Sequence, residues 1–259
     1  MDPVQHFAQE RLDRLAAYDK DADFRKLSQA FLEASMRKKY VYNFDWLGRP
    51  IIQYPQDMWA VQELIWQVKP DLVIETGIAH GGSLILSASL LAMLDYCEAM
   101  EKGTSLDPRN GRRKVIGIDI DIRPHNLAAL QSHPLAPMLR LIEGSSIAPE
   151  TISRVREAAK GHQKVLVFLD SMHTHDHVLA ELEAYAPMVS KGSYCVVFDS
   201  FVEDMPADLF PDRPWSPGDN PMTALRQYLK THPEFVIDKS IEGKLMVTVA
   251  ANGFLKRVG

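Results

Sequence analysis

From residue 71 to residue 198, short apolar runs rich in Val and Ile alternate with longer amphipathic stretches. No other feature constrains the fold so strongly. The runs at 71–75, 114–119, 139–142, 164–169 and 193–198 have the length and β-branched content of buried strands. The stretches at 82–100, 124–131, 149–160 and 175–188 carry helical periodicity. A strand that feeds a helix and then another strand builds a doubly wound, mostly parallel α/β sheet. Ligands of such sheets sit beyond the carboxyl ends of the strands. The residues that end each run are therefore the first place to look for chemistry.

Flanking segments complete the plan. Residues 4–18 and 22–37 have helical spacing and form an N-terminal helical extension over 1–55. Within it, residues 40–54 are aromatic and irregular, with a turn at Gly48-Arg49-Pro50. A helix over 56–68 opens the Rossmann-like domain, which runs through 56–259. After a polar loop at 201–221, the pattern predicts a helix over 221–230 and strands near 234–239 and 244–250, the last two as an antiparallel edge. With 259 residues and 46% hydrophobic content, the chain can bury a sizeable core. A net charge of −5 gives no basic field for nucleic acid. No apolar run reads as approaching the ~20 residues of a membrane span. The start, Met1-Asp2-Pro3-Val4-Gln5-His6, lacks the regions of a signal peptide, so the cytoplasm is the expected compartment. Cys97 and Cys195 read as small core residues rather than a disulfide or zinc pair.

The first strand runs into Glu75-Thr76-Gly77-Ile78-Ala79-His80-Gly81-Gly82-Ser83. Glycines admit a ligand close to the backbone, and the next helix offers free N–H groups to an anion. Gly77 and Gly81 are four apart, which is not the spacing of dinucleotide binders. It fits the E-x-G-x-x-x-G loop of S-adenosylmethionine methyltransferases, in which Ser83 can bind the ligand carboxylate and Glu75 its ammonium end. Asp119 ends the second strand and can accept hydrogen bonds from ribose hydroxyls, with Asp121 as second choice. Ser145, after the third strand, can face the adenine. Each feature also has a plain structural reading as a strand–helix turn or cap.

Asp170 ends the run 164–169, and Asp199-Ser200 ends the run 193–198. Two carboxylates at two strand ends can face one crevice and hold a hard divalent cation such as Mg2+, with the Ser200 hydroxyl as a third ligand. Glu203 and Asp204 are near enough in sequence to contribute. Strand-end aspartates are otherwise helix caps. His173, His175 and His177 follow Asp170 closely. Zinc is disfavoured because there is no H-E-x-x-H pattern and no cysteine partner. His173 is placed to take a proton from a metal-bound hydroxyl, whereas His175 reads as a surface residue at a helix start.

Several motifs recur together: Gln53-Tyr54-Pro55, Lys69-Pro70-Asp71 leading into Glu75-Thr76-Gly77, Gly81-Gly82-Ser83, Asp170-Ser171-Met172-His173, and Pro214-Trp215-Ser216-Pro217-Gly218-Asp219-Asn220-Pro221. From about residue 40 onward the chain resembles the cephalosporin hydroxylase family, also labelled rhamnosyl O-methyltransferase. The resemblance implies a class I methyltransferase core similar to catechol O-methyltransferase, with S-adenosylmethionine and a divalent metal as cofactors. It implies that Asp170 and Asp199 are metal ligands, that Ser200 stands where the catechol enzyme has an Asn ligand, and that His173 stands at its lysine base. Glu75, Gly77, Gly81, Ser83 and Asp119 match the cofactor pattern, and Gly218, Asp219 and Asn220 shape a lid. Family members often carry an acidic pair at the second metal strand, whereas here Phe198 precedes Asp199.

The expected function is metal-assisted methylation of a hydroxyl on a sugar, glycan or polar natural product, by a homo-oligomer assembled through the N-terminal helices. A nicotinamide dehydrogenase, a hydroxylase-type enzyme and a cofactor-binding non-enzymatic partner are the alternatives. The hydroxylase lacks an iron facial triad in the sequence. The dehydrogenase is opposed by the glycine spacing.

Overall fold

The computed structural model describes residues 2–259. Helices α1 (Pro3–Lys20) and α2 (Ala22–Arg37) are followed by a hairpin of β1 (Phe44–Trp46) and β2 (Arg49–Ile51). The core then runs α3 (Pro55–Val68), β3 (Leu72–Thr76), α4 (Gly82–Lys102), β4 (Lys114–Asp119), α5 (Pro124–Ser132), β5 (Leu139–Glu143), α6 (Pro149–Ala159), β6 (Val165–Leu169), α7 (His175–Tyr185) and β7 (Tyr194–Val197). It closes with α8 (Pro221–Tyr228), β8 (Phe235–Ile237), α9 (Lys239–Leu245) and β9 (Phe254–Arg257).

The main sheet has the order β5-β4-β3-β6-β7-β9-β8. Strands β3 to β7 are parallel, and β9 and β8 are antiparallel additions. Strands β3 and β6 are buried at every position, as expected of central strands covered on both faces. Two apolar clusters lie on the two sheet faces, one including Val73, Leu84, Val115 and Phe168, the other Ile74, Ile116, Val167 and Leu182. The strand order reverses between β3 and β6, so the loops after these strands flank a crevice.

Three sequence expectations are corrected. Residues 244–250 are not a strand. Helix α9 occupies Lys239–Leu245, and the antiparallel edge is made by Phe254–Arg257. The 247–250 segment is buried for a different reason: Thr248 Oγ1 and Val249 N both donate to the buried Asp57 carboxylate of α3. The turn in the aromatic segment is Leu47-Gly48, not Gly48-Arg49-Pro50. Both of its residues have positive φ (46° and 83°), as a two-residue hairpin turn requires. Helix α4 is also long and apolar enough to cross a bilayer by length and composition. Its Leu84, Ile85, Ala88 and Leu91 are fully buried against the protein core, whereas Met93, Tyr96 and Met100 are exposed.

Candidate active site

Two close backbone approaches form the crevice. Gly77 has φ +87°, and a Cβ there would lie 2.0 Å from the Asp170 carbonyl oxygen. Only glycine lets the β3–α4 loop pass so close to the end of β6. Gly82 opens α4 against the β1–β2 hairpin, where an added Cβ would meet Pro50 O at 2.3 Å. The N-terminal segment is thereby packed onto the cofactor-type loop rather than held apart from it.

Around these contacts lies a cavity of about 550 Å³. Gly77, Gly81, Ser83, Asp119 and Ser145 line one part of it. The Asp119 carboxylate accepts Ile78 N (2.8 Å) and Ala79 N (3.3 Å) through Oδ2, and Asp121 N through Oδ1. It therefore clamps the glycine loop while facing the cavity. Asp121 is exposed and outside the lining. Glu75 sits behind this wall, 2% exposed, and accepts the Ser83 hydroxyl. Burial, with the nearby Asp170 charge, pushes its carboxyl up to about 8.

Asp170, His173 and Asp199 line the other part, and one ligand atom from each lies within 4.8 Å of the others. His173 Nε2 is 3.0 Å from Asp199 Oδ2. Burial raises the Asp170 carboxyl to about 7, and the facing Asp199 charge adds to the rise while His173 opposes it. Burial alone would depress His173, but its hydrogen bond to Asp199 and the acidic surroundings leave it raised. Two carboxylates turned toward one another in a half-buried site, with a buried imidazole beside them, fit a hard divalent cation. A set of two carboxylates and one histidine is not the two-histidine triad of iron oxygenases. Asp199 has φ +55°, a left-handed conformation that Asp tolerates better than most residues.

Ser200 corrects the expected ligand set. It is fully buried, and its hydroxyl donates to Ala251 O at 2.6 Å, away from the cavity lining. Glu203 also has other work: it accepts Gly218 N, Asn220 Nδ2 and Arg226 Nη1. These bonds hold its carboxyl below the usual range. Asp204 does not line the cavity. His175 binds Thr223 and Gln227, consistent with its reading as a helix-start residue. His177 lines the cavity beside Ser146 (3.0 Å) rather than joining the carboxylates.

Asp212, Arg213, Pro214 and Trp215 close over the metal-type end. Trp215 packs edge-on against His173, with ring centroids 4.7 Å apart. Gly218, Asp219 and Asn220 anchor this strap rather than touch the cavity: Asp219 accepts His175 N, and Asn220 caps α8. The role of Gln53 was missed from sequence. Its Nε2 donates to Asp170 Oδ2 at 2.9 Å. The one available signal was its place in the Gln53-Tyr54-Pro55 motif, and nothing in that motif names a partner 117 residues away.

Comparison with known proteins assigns the family. The sequence profile of the family described as Rhamnosyl O-methyltransferase/CmcI matches residues 38–258. The chain is 31% identical over 214 residues to a rhamnosyl O-methyltransferase of Mycobacterium leprae, covering 82% of each protein. It is 31% identical over 209 residues to that of Mycobacterium tuberculosis, covering 78% of this chain and 73% of the relative. In structure it is similar to CmcI solved with Mg and SAM, with TM-score 0.53 and 16% identity over 84% of this chain and 78% of that one, which establishes a shared fold. The nicotinamide dehydrogenase and non-enzymatic alternatives fall away, because a match of this length and identity makes the chain a member of the Rhamnosyl O-methyltransferase/CmcI family and an S-adenosylmethionine-dependent O-methyltransferase.

Proposed function

We propose that the protein methylates a hydroxyl of a sugar, free or as part of a glycan or polar natural product, with the help of a divalent cation. The observation that carries this reading is one cavity lined by both the Gly77–Ser83 loop with Asp119 and the Asp170–His173–Asp199 cluster. The rhamnosyl activity named for the 31%-identical relatives supports a sugar as acceptor.

S-Adenosylmethionine supplies an electrophilic methyl group, and a divalent cation supplies the positive charge that lowers the pKa of the acceptor hydroxyl. The protein does the rest. Asp119 and Ser145 orient the nucleoside, and the Gly77–Ser83 loop receives the amino-acid end. Asp170 and Asp199 would hold the cation. His173 would take the hydroxyl proton on its ring, with Asp199, 3.0 Å from Nε2, stabilising the imidazolium that forms. Trp215 and its strap exclude water and hold the His173 ring. Holding cofactor and acceptor in one cavity would supply much of the rate.

The test is methyl transfer from S-adenosylmethionine to rhamnose-bearing acceptors with Mg2+ and with excess chelator. Full activity in chelator would overturn the metal-assisted reading while leaving the methyltransferase assignment intact. Exposed Phe7, Leu12, Leu27 and Phe31 on α1 and α2 support a homo-oligomer. A monomeric mass by light scattering at micromolar concentration would overturn that.

A further inference from the structure

The Asp170 carboxylate receives one hydrogen bond from a described residue, and the donor comes from the N-terminal segment rather than the sheet. Gln53 Nε2 lies 2.9 Å from Asp170 Oδ2. Gln53 is 7% exposed, and Gln53 and Asp170 together line both the main cavity and a small neighbouring void that Glu75 and Ser83 also line.

Its backbone is fixed on both sides. Ile51, two residues before, is 1% exposed and packs on Gly82. Tyr54, one residue after, is fully buried; its hydroxyl pairs with Ser35 Oγ of α2 at 2.6 Å, and its carbonyl accepts Met58 N of α3. The side chain of Gln53 thus projects from a rigid support onto the carboxylate.

An aspartate alone at a strand end has a free χ2, and its near neighbour Asp199 repels it. One N–H donor on Oδ2 fixes the carboxylate plane and leaves Oδ1 free. Hydrogen bonds to ligating carboxylates orient them in this way, and their loss typically costs about 10–100-fold in metal affinity.

We propose that Gln53 is a positioning residue of the cation site, holding the Asp170 carboxylate in its ligating orientation without itself binding the cation. This rests on the metal-assisted reading above. It also brings Gln53, and with it the segment before residue 55, into the active site, so the division at residue 55 does not separate function.

The test measures Mn2+ affinity by the electron paramagnetic resonance signal of free Mn2+, on the full chain. Wild type, Gln53→Met, Asp170→Asn and the double variant are compared. Methionine keeps the volume and removes the N–H. Gln53→Met is expected to weaken Mn2+ binding by about 10–100-fold. Affinity for S-adenosylhomocysteine, titrated without metal, should stay within about twofold. The double variant should bind Mn2+ no more weakly than Asp170→Asn, because Gln53 acts through Asp170. Activity of Gln53→Met should recover as Mg2+ is raised.

If wild type binds Mn2+ and Gln53→Met binds it equally well, the proposal is overturned and the metal-assisted reading survives. If wild type binds none, both fall. Independent losses in the two single variants would make Gln53 a direct ligand and overturn the positioning role. If Gln53→Met loses S-adenosylhomocysteine, Gln53→Ala replaces it. Loss there too would make Gln53 a scaffold residue for the whole site, against the proposal.

Discussion

Replacing Glu75 with glutamine should change how stability depends on pH. The Glu75 carboxyl is 2% exposed, one oxygen accepts the Ser83 hydroxyl, and the other has no hydrogen-bond partner in the protein. Burial raises it from an ordinary 4.5 to about 8. Between those values the folded protein keeps a proton that the unfolded chain has lost. Folding stability therefore falls as pH rises, by up to about 1.4 kcal/mol per pH unit, and by at most about 5 kcal/mol across the interval. Relaxation and water entry will reduce this to about 2–4 kcal/mol. Urea unfolding of the ligand-free protein at pH 5, 7 and 9 reads the effect. Wild type should lose stability from pH 5 to pH 9, and Glu75→Gln should lose about 2–4 kcal/mol less. If Glu75 also serves the ammonium end of the cofactor, Glu75→Gln should weaken S-adenosylmethionine binding at pH 8. Parallel stability profiles for the two proteins would refute the burial argument.

Further substitutions probe other parts of the site. Gly77→Ala should lower the urea midpoint and abolish S-adenosylhomocysteine binding in calorimetry, because its Cβ meets the Asp170 carbonyl at 2.0 Å and the positive φ alone costs about 1–2 kcal/mol. Asp199→Ala should abolish metal-dependent methyl transfer while S-adenosylhomocysteine still binds, and His173→Ala should lower kcat by roughly 10²–10⁴-fold in a radiolabelled-methyl assay. Ser200→Ala should leave Mn2+ affinity unchanged and cost about 1 kcal/mol in urea unfolding, since its hydroxyl bonds Ala251 O rather than the cavity. Arg113→Met should cost about 2–3 kcal/mol by the same measurement. Its buried guanidinium serves Asp95, Glu98 and Pro70 O, and the two carboxylates left behind are only partly solvated.

The sheet was legible because its strands are local patterns. Strand β6, Val165–Leu169, is apolar at every position and carries two β-branched valines, and such a segment has few options besides a covered parallel strand. Asp119, Asp170 and Asp199 could be found for the same reason: each ends a run, and strand ends in this topology converge on one crevice. The C-terminal edge was misread because 244–250 is apolar without being a strand. It is buried through the Asp57 carboxylate, whose hydrogen bonds to Thr248 and Val249 span about 190 residues.

What the linear sequence determines here is the alternation of elements, the glycine loop after β3 and the acids at the strand ends, all set by neighbours within a few residues. Direction and partnership of side chains were decided only by the tertiary structure. Ser200 follows a metal-type aspartate, yet the backbone carbonyl of Ala251 claims its hydroxyl. Gln53 lies outside the sheet, yet packing of the hairpin on Gly82 brings its amide to Asp170. A polar group leaving water must take whatever partner the fold places beside it, and that partner is set by three-dimensional packing that no local pattern encodes.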